Sequence, residues 1–256
     1  MDILQGSFSE AAFIYKEIFE DTIYSAHGIA LRPGDVVFDI GANIGVFCQY
    51  AMHAAFEGQP TEYPLPQVKY YGFEALPPIF DVLCRNVRRN CDSHSDRIST
   101  KLFNVALGHE ACDAVSFTFY PRIPGNSTLN HAEKVRLQGS LLGLQAFEGA
   151  TDYRVPMRTL SGVLTEHEVD RVDFLKIDVE GAELLVLRGI HDEHWDRIWQ
   201  IAMEVPDVEE IGEDGRQERR VDVIYDILQR HGFKVNVERF QLSDSVVNFM
   251  IYAKRG

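Results

Sequence analysis

The segment DFLKIDVEGAEL, residues 173–184, begins with an apolar strand pattern and continues with three carboxylates, Asp178, Glu180 and Glu183. The alternation of a strand places Asp178 and Glu180 on one side, and Glu204 ends the next apolar segment, IAMEVPD. Clustered carboxylates raise one another's pKa towards that of a useful base, or they bind a hard cation through their oxygens. The pattern therefore indicates chemistry at this strand end.

A structural explanation competes for part of this cluster. Glu180 and Glu183 open a predicted helix, where the helix dipole favours acidic side chains by about 0.3–1 kcal/mol, and a capping role alone accounts for Glu183. Asp178 precedes the helix and is not explained as a cap. We therefore take Asp178 as the candidate general base or Mg²⁺ ligand, with Glu180 and Glu204 as further catalytic candidates. The sequence leaves base and metal ligand as equal alternatives.

A second constellation lies at residues 37–47, VFDIGANIGVF, where a strand pattern runs through D-x-G-x-N-x-G into a helical pattern. Gly41 and Gly45 allow a tight turn and close approach of a ligand, but the spacing is not the G-x-G-x-x-G of dinucleotide sites. Asp39 would repel a pyrophosphate and suits a cationic group, such as the amino-acid end of S-adenosylmethionine. Glu74 ends the next strand pattern, YYGFEA, where an acid can accept hydrogen bonds from ribose hydroxyls.

The elements that position these residues alternate between strand and helix patterns, which predicts an α/β sandwich with a mainly parallel sheet. Strand patterns cover 35–40, 68–74, 100–107, 114–121, 172–179 and 198–205, and a closing antiparallel hairpin is predicted from 233–238 and 246–255. Helical patterns cover 44–55, 77–89, 182–190 and 218–232. We expect 100–107 to pair with 114–121 around the turn GHEACD.

The chain, residues 1–256, is predicted to be one domain with four parts. Residues 1–33 form a helical preface rich in aromatic residues, and 34–120 form the cofactor-binding half. Residues 121–156 form a Gly- and Pro-bearing insertion, and 157–256 supply the catalytic-edge strands and the closing hairpin. A connection as long as this insertion is typically a lid or binding loop, so we expect it to build the acceptor pocket.

Composition excludes several classes of partner and compartment. Lys and Arg number 25 against 39 Asp and Glu, and the resulting net charge of −14 disfavours nucleic acid and anionic membranes. The four cysteines contain no C-x-x-C pair, which is typical of a reduced protein without a disulfide framework or zinc site. Neither a signal peptide nor an 18-residue apolar run is present. The expected location is the cytoplasm.

The segments GDVVFDIGANIGVF, YYGFEALPPIFDVLCRNV and FLKIDVEGAELLVLRGI resemble the FkbM-type family of S-adenosylmethionine-dependent methyltransferases, from about Gly34 to Val205. The resemblance implies a class I methyltransferase (Rossmann-like) fold of three layers, with a seven-stranded, mainly parallel sheet whose last strand is antiparallel. It also implies O-methylation of a hydroxyl. The residues it assigns to cofactor binding are Asp39, Gly41, Asn43 and Gly45 at the methionine end, Glu74 at the ribose, and Asn104 and Ala106 near the adenine.

Three further residues become candidates once a sulfonium cofactor is expected. His131 lies in the insertion close to GNSTL and could act as a base over the cofactor, although a lone loop histidine is more often simply exposed. Tyr15 and Tyr24 of the preface could pack over the sulfonium, a cation–π contact worth about 0.5–2 kcal/mol. The alternative is that both tyrosines attach the preface to the sheet.

The preface and the segment FTFYPRIPGNSTLN resemble family members that are embedded in, or act with, polyketide and non-ribosomal peptide assembly lines. We therefore predict O-methylation of a hydroxyl on such an intermediate or product, supplied as a small molecule or tethered to a carrier protein. The chain would be a free enzyme or part of a multidomain synthase. N-methylation, methylation of a sugar hydroxyl and a non-catalytic cofactor-binding domain remain alternatives, while D-x-G-x-N-x-G disfavours a dinucleotide oxidoreductase.

Overall fold

The computed structural model describes residues 1–59, 65–91, 94–211, 217–243 and 246–256. The strands are, in chain order, β1 (Val36–Ile40), β2 (Val68–Phe73), β3 (Ile98–Phe103), β4 (Ala106–Leu107), β5 (Cys112–Phe119), β6 (Thr151–Arg158), β7 (Phe174–Ile177), β8 (Gln200–Pro206), β9 (Glu209–Ile211), β10 (Gln217–Arg219), β11 (Lys234–Ser243) and β12 (Val246–Lys254). The α-helices are α1 (Phe8–Tyr15), α2 (Val46–Phe56), α3 (Pro77–Cys91), α4 (His131–Leu142), α5 (Leu160–Glu166), α6 (Glu183–Arg188) and α7 (Arg220–Arg230). Across these ranges, no helix combines the length and the apolar character needed to cross a membrane.

Seven of these strands form one sheet in the order β11-β12-β8-β7-β1-β2-β3. β1 is parallel to β2 and β7, β2 to β3, and β7 to β8, whereas β12 is antiparallel to β8 and β11. The predicted α/β fold with an antiparallel last strand is therefore confirmed. The strand order reverses between β1 and β7, and in open α/β sheets ligands bind outside the carboxyl ends of the strands at such a point.

The central strands bury both of their faces, as their continuous apolar patterns predict. Phe38 and Leu175 belong to the cluster that packs against α5, α6 and α7. Val37 and Phe174, one residue earlier in each strand, belong to the cluster that packs against α2 and α3. Tyr24 of the preface joins this second cluster, so the preface lies on the same side of the sheet as α2.

The preface is helical over only part of its predicted length. α1 continues as a π-helical turn, Lys16–Glu20, and the residues from 21 to 33 form turns and irregular segments. Thr22, His27 and Gly28 have positive φ angles of 49°, 52° and 80°. Left-handed backbone cannot continue a right-handed helix, so the chain leaves the helix before it reaches the sheet.

The expected pairing of 100–107 with 114–121 was wrong. β5 is instead antiparallel to β6, with Phe117 opposite Tyr153, and β4 is parallel to β6, so the three strands form a separate sheet. Val155 and Met157 of β6 pack in a small apolar cluster with Ala106. The eight-residue β6 offers a longer pairing partner for β5 than the two residues of β4.

The insertion between residues 121 and 156 has secondary structure of its own. It contains a 3-10 turn at Pro124–Asn126, all of α4, a second 3-10 turn at Leu144–Phe147 and the first part of β6. α4 begins with a capping contact, because the side chain of Asn130 accepts a hydrogen bond from the backbone N–H of Glu133 at 3.1 Å. The segment is therefore an ordered element rather than an extended loop.

Candidate functional site

A cavity of about 540 Å³ opens at the carboxyl ends of β1, β2 and β7. The loop after β1 and the end of β2 form one part of its wall, and α1, the insertion and the ends of β7 and β8 form the rest. The two constellations that the sequence predicts separately therefore share one space.

The loop after β1 is shaped by residues with positive φ angles. Gly41 has φ +82°, and a Cβ atom at this position would lie 1.8 Å from the backbone oxygen of Asp178. Asn43 has φ 47°, and Gly45, with φ 90°, precedes the first residue of α2. Gly41 and Asn43 line the cavity, whereas Gly45 faces Leu83. Glycine at position 41 is what lets the ends of β1 and β7 meet.

Asp39 lies beneath the cavity and does not line it. Its side chain is fully buried, its Oδ1 lies 3.0 Å from Lys176 Nζ, and its Oδ2 accepts a hydrogen bond from the Tyr70 hydroxyl. Burial raises the pKa of Asp39, while Lys176 and Tyr70 oppose that rise. The structure thus pairs Asp39 with a lysine instead of placing it on the wall where a cationic ligand would sit.

Glu74 lines the cavity where the sequence predicts it. Its Oε2 accepts the backbone N–H of Asn43 at 3.1 Å and its Oε1 accepts that of Leu76 at 3.0 Å. The residue is 8% exposed, and burial raises the pKa of its carboxyl to about 7. Both oxygens are held in place, and each retains acceptor capacity towards the cavity.

The two predicted adenine-side residues have different positions. Ala106 lines the cavity. Asn104 does not line it, and its side-chain amide donates to the backbone oxygens of Glu74 and Ala75, both at 2.9 Å. Asn104 therefore fixes the course of the chain after β2 and supports the cavity wall.

Asp178, Glu180 and Glu204 all line this cavity, as the sequence predicts. Asp178 Oδ2 accepts a hydrogen bond from the Tyr24 hydroxyl at 2.9 Å, and Glu180 is paired with Lys134 of α4. Glu204 accepts a hydrogen bond from the Asn248 side chain. Burial, followed by repulsion from Asp178, raises the pKa of Glu204 well above its ordinary value. Burial also raises the pKa of Glu180, against the opposing effect of Lys134.

Glu183 is the buried first residue of α6, its Oε1 accepts the backbone N–H of Gly181 at 2.8 Å, and its Oε2 lies 3.7 Å from Arg220. Glu183 does not line the large cavity. Its place in the first turn of α6 agrees with an acid that the helix dipole favours, although the Gly181 N–H that its side chain accepts lies before the helix begins.

Two acids of the preface join the cavity without having been predicted. Glu10 accepts the backbone N–H of Gly125 at 3.0 Å, and Glu17 lies among the other acids. Burial, followed by repulsion from Asp178 and Glu180, raises the pKa of Glu17 to about 8. The available signal was the seven-residue spacing of Glu10 and Glu17, which puts both on one face of a helix.

Of the tyrosine and histidine candidates, only Tyr24 lies on the cavity wall. Tyr24 is 3% exposed and lines the cavity. Tyr15 is 47% exposed, stacks on Phe19 and is not a lining residue. His131 is the exposed first residue of α4, with its Nδ1 2.8 Å from the Tyr120 hydroxyl oxygen, and it also stays outside the cavity wall.

Among the described residues, the acids around Asp178 do not bring three ligand atoms close enough together to bind a cation. Within the residues that the structure describes, one group of three His, Cys or carboxylate ligand atoms lies within 4.8 Å of one another, and it consists of His191, Glu193 and His194. None of these three residues lines the cavity. The placement of the acids therefore gives the predicted Mg²⁺ site no support.

Comparison with known proteins identifies relatives over most of the chain. The Methyltransferase FkbM domain family matches residues 39–235. Methyltransferase sdnD of Sordaria araneosa is 36% identical over 228 residues, which cover 80% of this chain and 81% of the relative. The 31-O-demethyl-FK506 methyltransferase FkbM of Streptomyces tacrolimicus is 32% identical over 262 residues, covering 96% of this chain and 90% of the relative.

A further relative is much longer than this chain. AMB antimetabolite synthetase AmbE of Pseudomonas aeruginosa is 31% identical over 274 residues, which cover 97% of this chain but 12% of AmbE. Sequences similar to the whole chain thus occur both as proteins of comparable length and within a large synthetase.

Proposed function

The chain belongs to the FkbM family of S-adenosylmethionine-dependent methyltransferases, and from this premise we propose that it methylates a hydroxyl of a polyketide or non-ribosomal peptide intermediate or product. The observation that carries the proposal is the shared cavity. Gly41 and Glu74 of the predicted cofactor half line the same space as Asp178, Glu180 and Glu204.

The cofactor half fits S-adenosylmethionine. Glu74 uses one lone pair on each oxygen for a backbone N–H, and a carboxylate has about four lone-pair sites, so acceptors remain for the two ribose hydroxyls. Gly41 and Asn43 bring backbone close to the ligand, and Ala106 offers an apolar wall for the base. When bound, the cofactor supplies an activated methyl group, and the protein contributes mainly by positioning.

The acceptor half supplies the group that a hydroxyl needs in order to react. An aliphatic hydroxyl is about as weak an acid as water, with a pKa near 15.7, so a base must take its proton as the new bond forms. Asp178, oriented by the Tyr24 hydroxyl, is the proposed base. Glu17, with its pKa raised to about 8, is protonated at neutral pH and would donate a hydrogen bond to the acceptor.

The insertion would act as a lid over the acceptor. Leu129 and Gln138 of this segment line the cavity, and Lys134 ties α4 to Glu180 at the catalytic edge. The similarity to a region of a synthetase supports an acceptor that arrives on a carrier protein within such an assembly.

One feature favours a sugar hydroxyl as the second candidate acceptor. Besides Asn43 of the cofactor half, three carboxamide residues line the cavity together with the acids: Asn126, Gln138 and Asn248. Amide and carboxyl groups can donate and accept hydrogen bonds at the same time, which suits the adjacent hydroxyls of a sugar. An amine acceptor would not need these paired contacts.

The test is transfer of a deuterated methyl group from the cofactor to a panel of acceptors, followed by mass spectrometry. The panel contains hydroxyacyl pantetheine thioesters, aryl glucosides and primary amines. We expect a methyl ether formed at a hydroxyl of the acceptor, and a loss of about 10²–10⁴-fold in rate in Asp178→Asn. Asp170→Asn, whose side chain is 96% exposed, is the matched control.

Two results would overturn parts of this proposal. Near-full turnover in Asp178→Asn would refute the role of Asp178 as the base. Methylation of the amines alone would refute O-methylation as the reaction. The reactions are also run with EDTA and with added Mg²⁺, because strict dependence on Mg²⁺ would assign Asp178 to a metal instead of to the proton.

A further inference from the structure

Lys176 is a buried cation between the loop after β1 and the catalytic end of β7. Its side chain is 3% exposed, and its Nζ lies 3.0 Å from Asp39 Oδ1 and 3.6 Å from Asp178 Oδ2. Nζ also donates to the backbone oxygen of Gly41 at 3.2 Å. One ammonium group thus contacts a core aspartate, the glycine loop and the proposed base.

The strand register creates this arrangement. In the parallel pairing of β1 with β7, Asp39 stands opposite Lys176. Tyr70 donates to Asp39, and Tyr24 donates to Asp178. A continuous row of polar side chains therefore leads from the core of the sheet to the cavity, and Lys176 is its central member.

Stability alone is a weak reason for such a row. Replacing a buried ion pair by apolar residues of similar volume is often neutral or stabilising, because both charges must be removed from water. The contacts to the Gly41 oxygen and to Asp178 are of another kind, because they hold two atoms at the wall of the cavity.

We propose that Lys176 is a positioning residue for methyl transfer. It fixes the Gly41 loop and the Asp178 carboxylate relative to each other, and it sets the net charge that faces a sulfonium cofactor. The inference rests on the proposed function. Asp39, Lys176 and Asp178 together carry a net charge of −1, and removal of the lysine changes it to −2. That change alters the affinity for a ligand with a net positive charge, but not the affinity for a ligand without net charge.

The first experiment compares the affinities of S-adenosylmethionine, which carries the sulfonium charge, and S-adenosylhomocysteine, which lacks it, by calorimetric titration of the full chain. In Lys176→Met we expect both ligands to bind about tenfold more weakly or worse, as when a hydrogen bond from a charged donor is lost. We also expect the preference for the charged ligand to rise several-fold. The control is Lys69→Met, which replaces an exposed lysine of β2 and should change neither quantity.

The second variant separates positioning from neutralisation of a buried charge. Lys176→Met/Asp39→Asn removes both partners, so we expect its melting temperature and its preference between the two ligands to return towards wild type. Both affinities should nevertheless stay about tenfold weaker than in the wild type, because the contacts of Lys176 with the Gly41 oxygen and with Asp178 are still missing.

Recovery of wild-type affinity in the double variant would overturn the proposal and leave Lys176 as a partner of Asp39 alone. An unchanged ligand preference in Lys176→Met would overturn the part that concerns charge. Wild-type protein that binds neither ligand would instead refute the proposed function, so the two failures are distinguishable.

Discussion

Gly41→Ala is the substitution whose effect follows most directly from the structure. The backbone at Gly41 has φ +82°, and the added Cβ atom would lie 1.8 Å from the backbone oxygen of Asp178. A left-handed conformation costs about 1–2 kcal/mol in a residue with a side chain. Relief of the clash requires a backbone shift that costs about 1–3 kcal/mol more. We therefore expect a loss of roughly 2–5 kcal/mol in the free energy of unfolding.

Gly58→Ala provides the matched control. Gly58 also has a positive φ, +69°, but no atom lies within 4 Å of its added Cβ. Only the conformational cost of about 1–2 kcal/mol should appear there. Urea unfolding measures both variants, and titration of S-adenosylmethionine should show weaker binding in Gly41→Ala alone. Equal losses of stability, with cofactor affinity unchanged in both, would refute the close approach of the two strand ends.

Buried polar groups around the cavity give three further expectations. Because the pKa of Glu17 is raised from 4.5 to about 8, the wild type should lose stability as the pH rises between these values, and Glu17→Gln should lose less in thermal melts; equal losses would contradict this. Lys134→Met leaves Glu180 unpaired and should cost about 1–3 kcal/mol in urea unfolding, most of it regained in Lys134→Met/Glu180→Gln; a double variant as unstable as the single one would argue against the pair. Tyr24→Phe removes the donor to Asp178 and should slow single-turnover methyl transfer to the best acceptor of the panel about tenfold, so an unchanged rate would show that this hydrogen bond does not matter.

Much of the fold and part of the site follow from local patterns. Strands that alternate with helices dictate a parallel sheet, and the carboxyl ends of parallel strands share one edge. That geometry alone brings Glu74 and Asp178 to a single cavity. Gly41 is equally readable from the sequence, because a tight turn at a strand end needs a residue that tolerates positive φ.

The remainder depends on contacts between distant segments. Asp39 was expected on the cavity wall, but it stands opposite Lys176 across β1 and β7, and only the register of two strands far apart in sequence reveals that pair. The lysine inside the apolar pattern FLKI was the available signal, since a buried cation needs a partner. Glu17 reaches the cavity through packing of the preface, which periodicity within one helix does not specify.

The pairing of β5 with β6 has the same origin. Proximity in sequence favours a hairpin between neighbouring strand patterns, but β6, which begins only near the end of the insertion, offers the longer partner. Local propensity is a weak guide where the choice of partner is decided by tertiary packing.

Calorimetric titration of S-adenosylmethionine into the wild type and into Glu74→Ala shows whether this cavity binds the cofactor through Glu74. We expect binding to the wild type and an affinity at least about tenfold weaker in Glu74→Ala, because acceptors for the ribose hydroxyls are lost. Glu57→Ala, an exposed glutamate just after α2, should bind like the wild type. Absence of binding to the wild type, or equal affinity in Glu74→Ala, would refute this site for the cofactor.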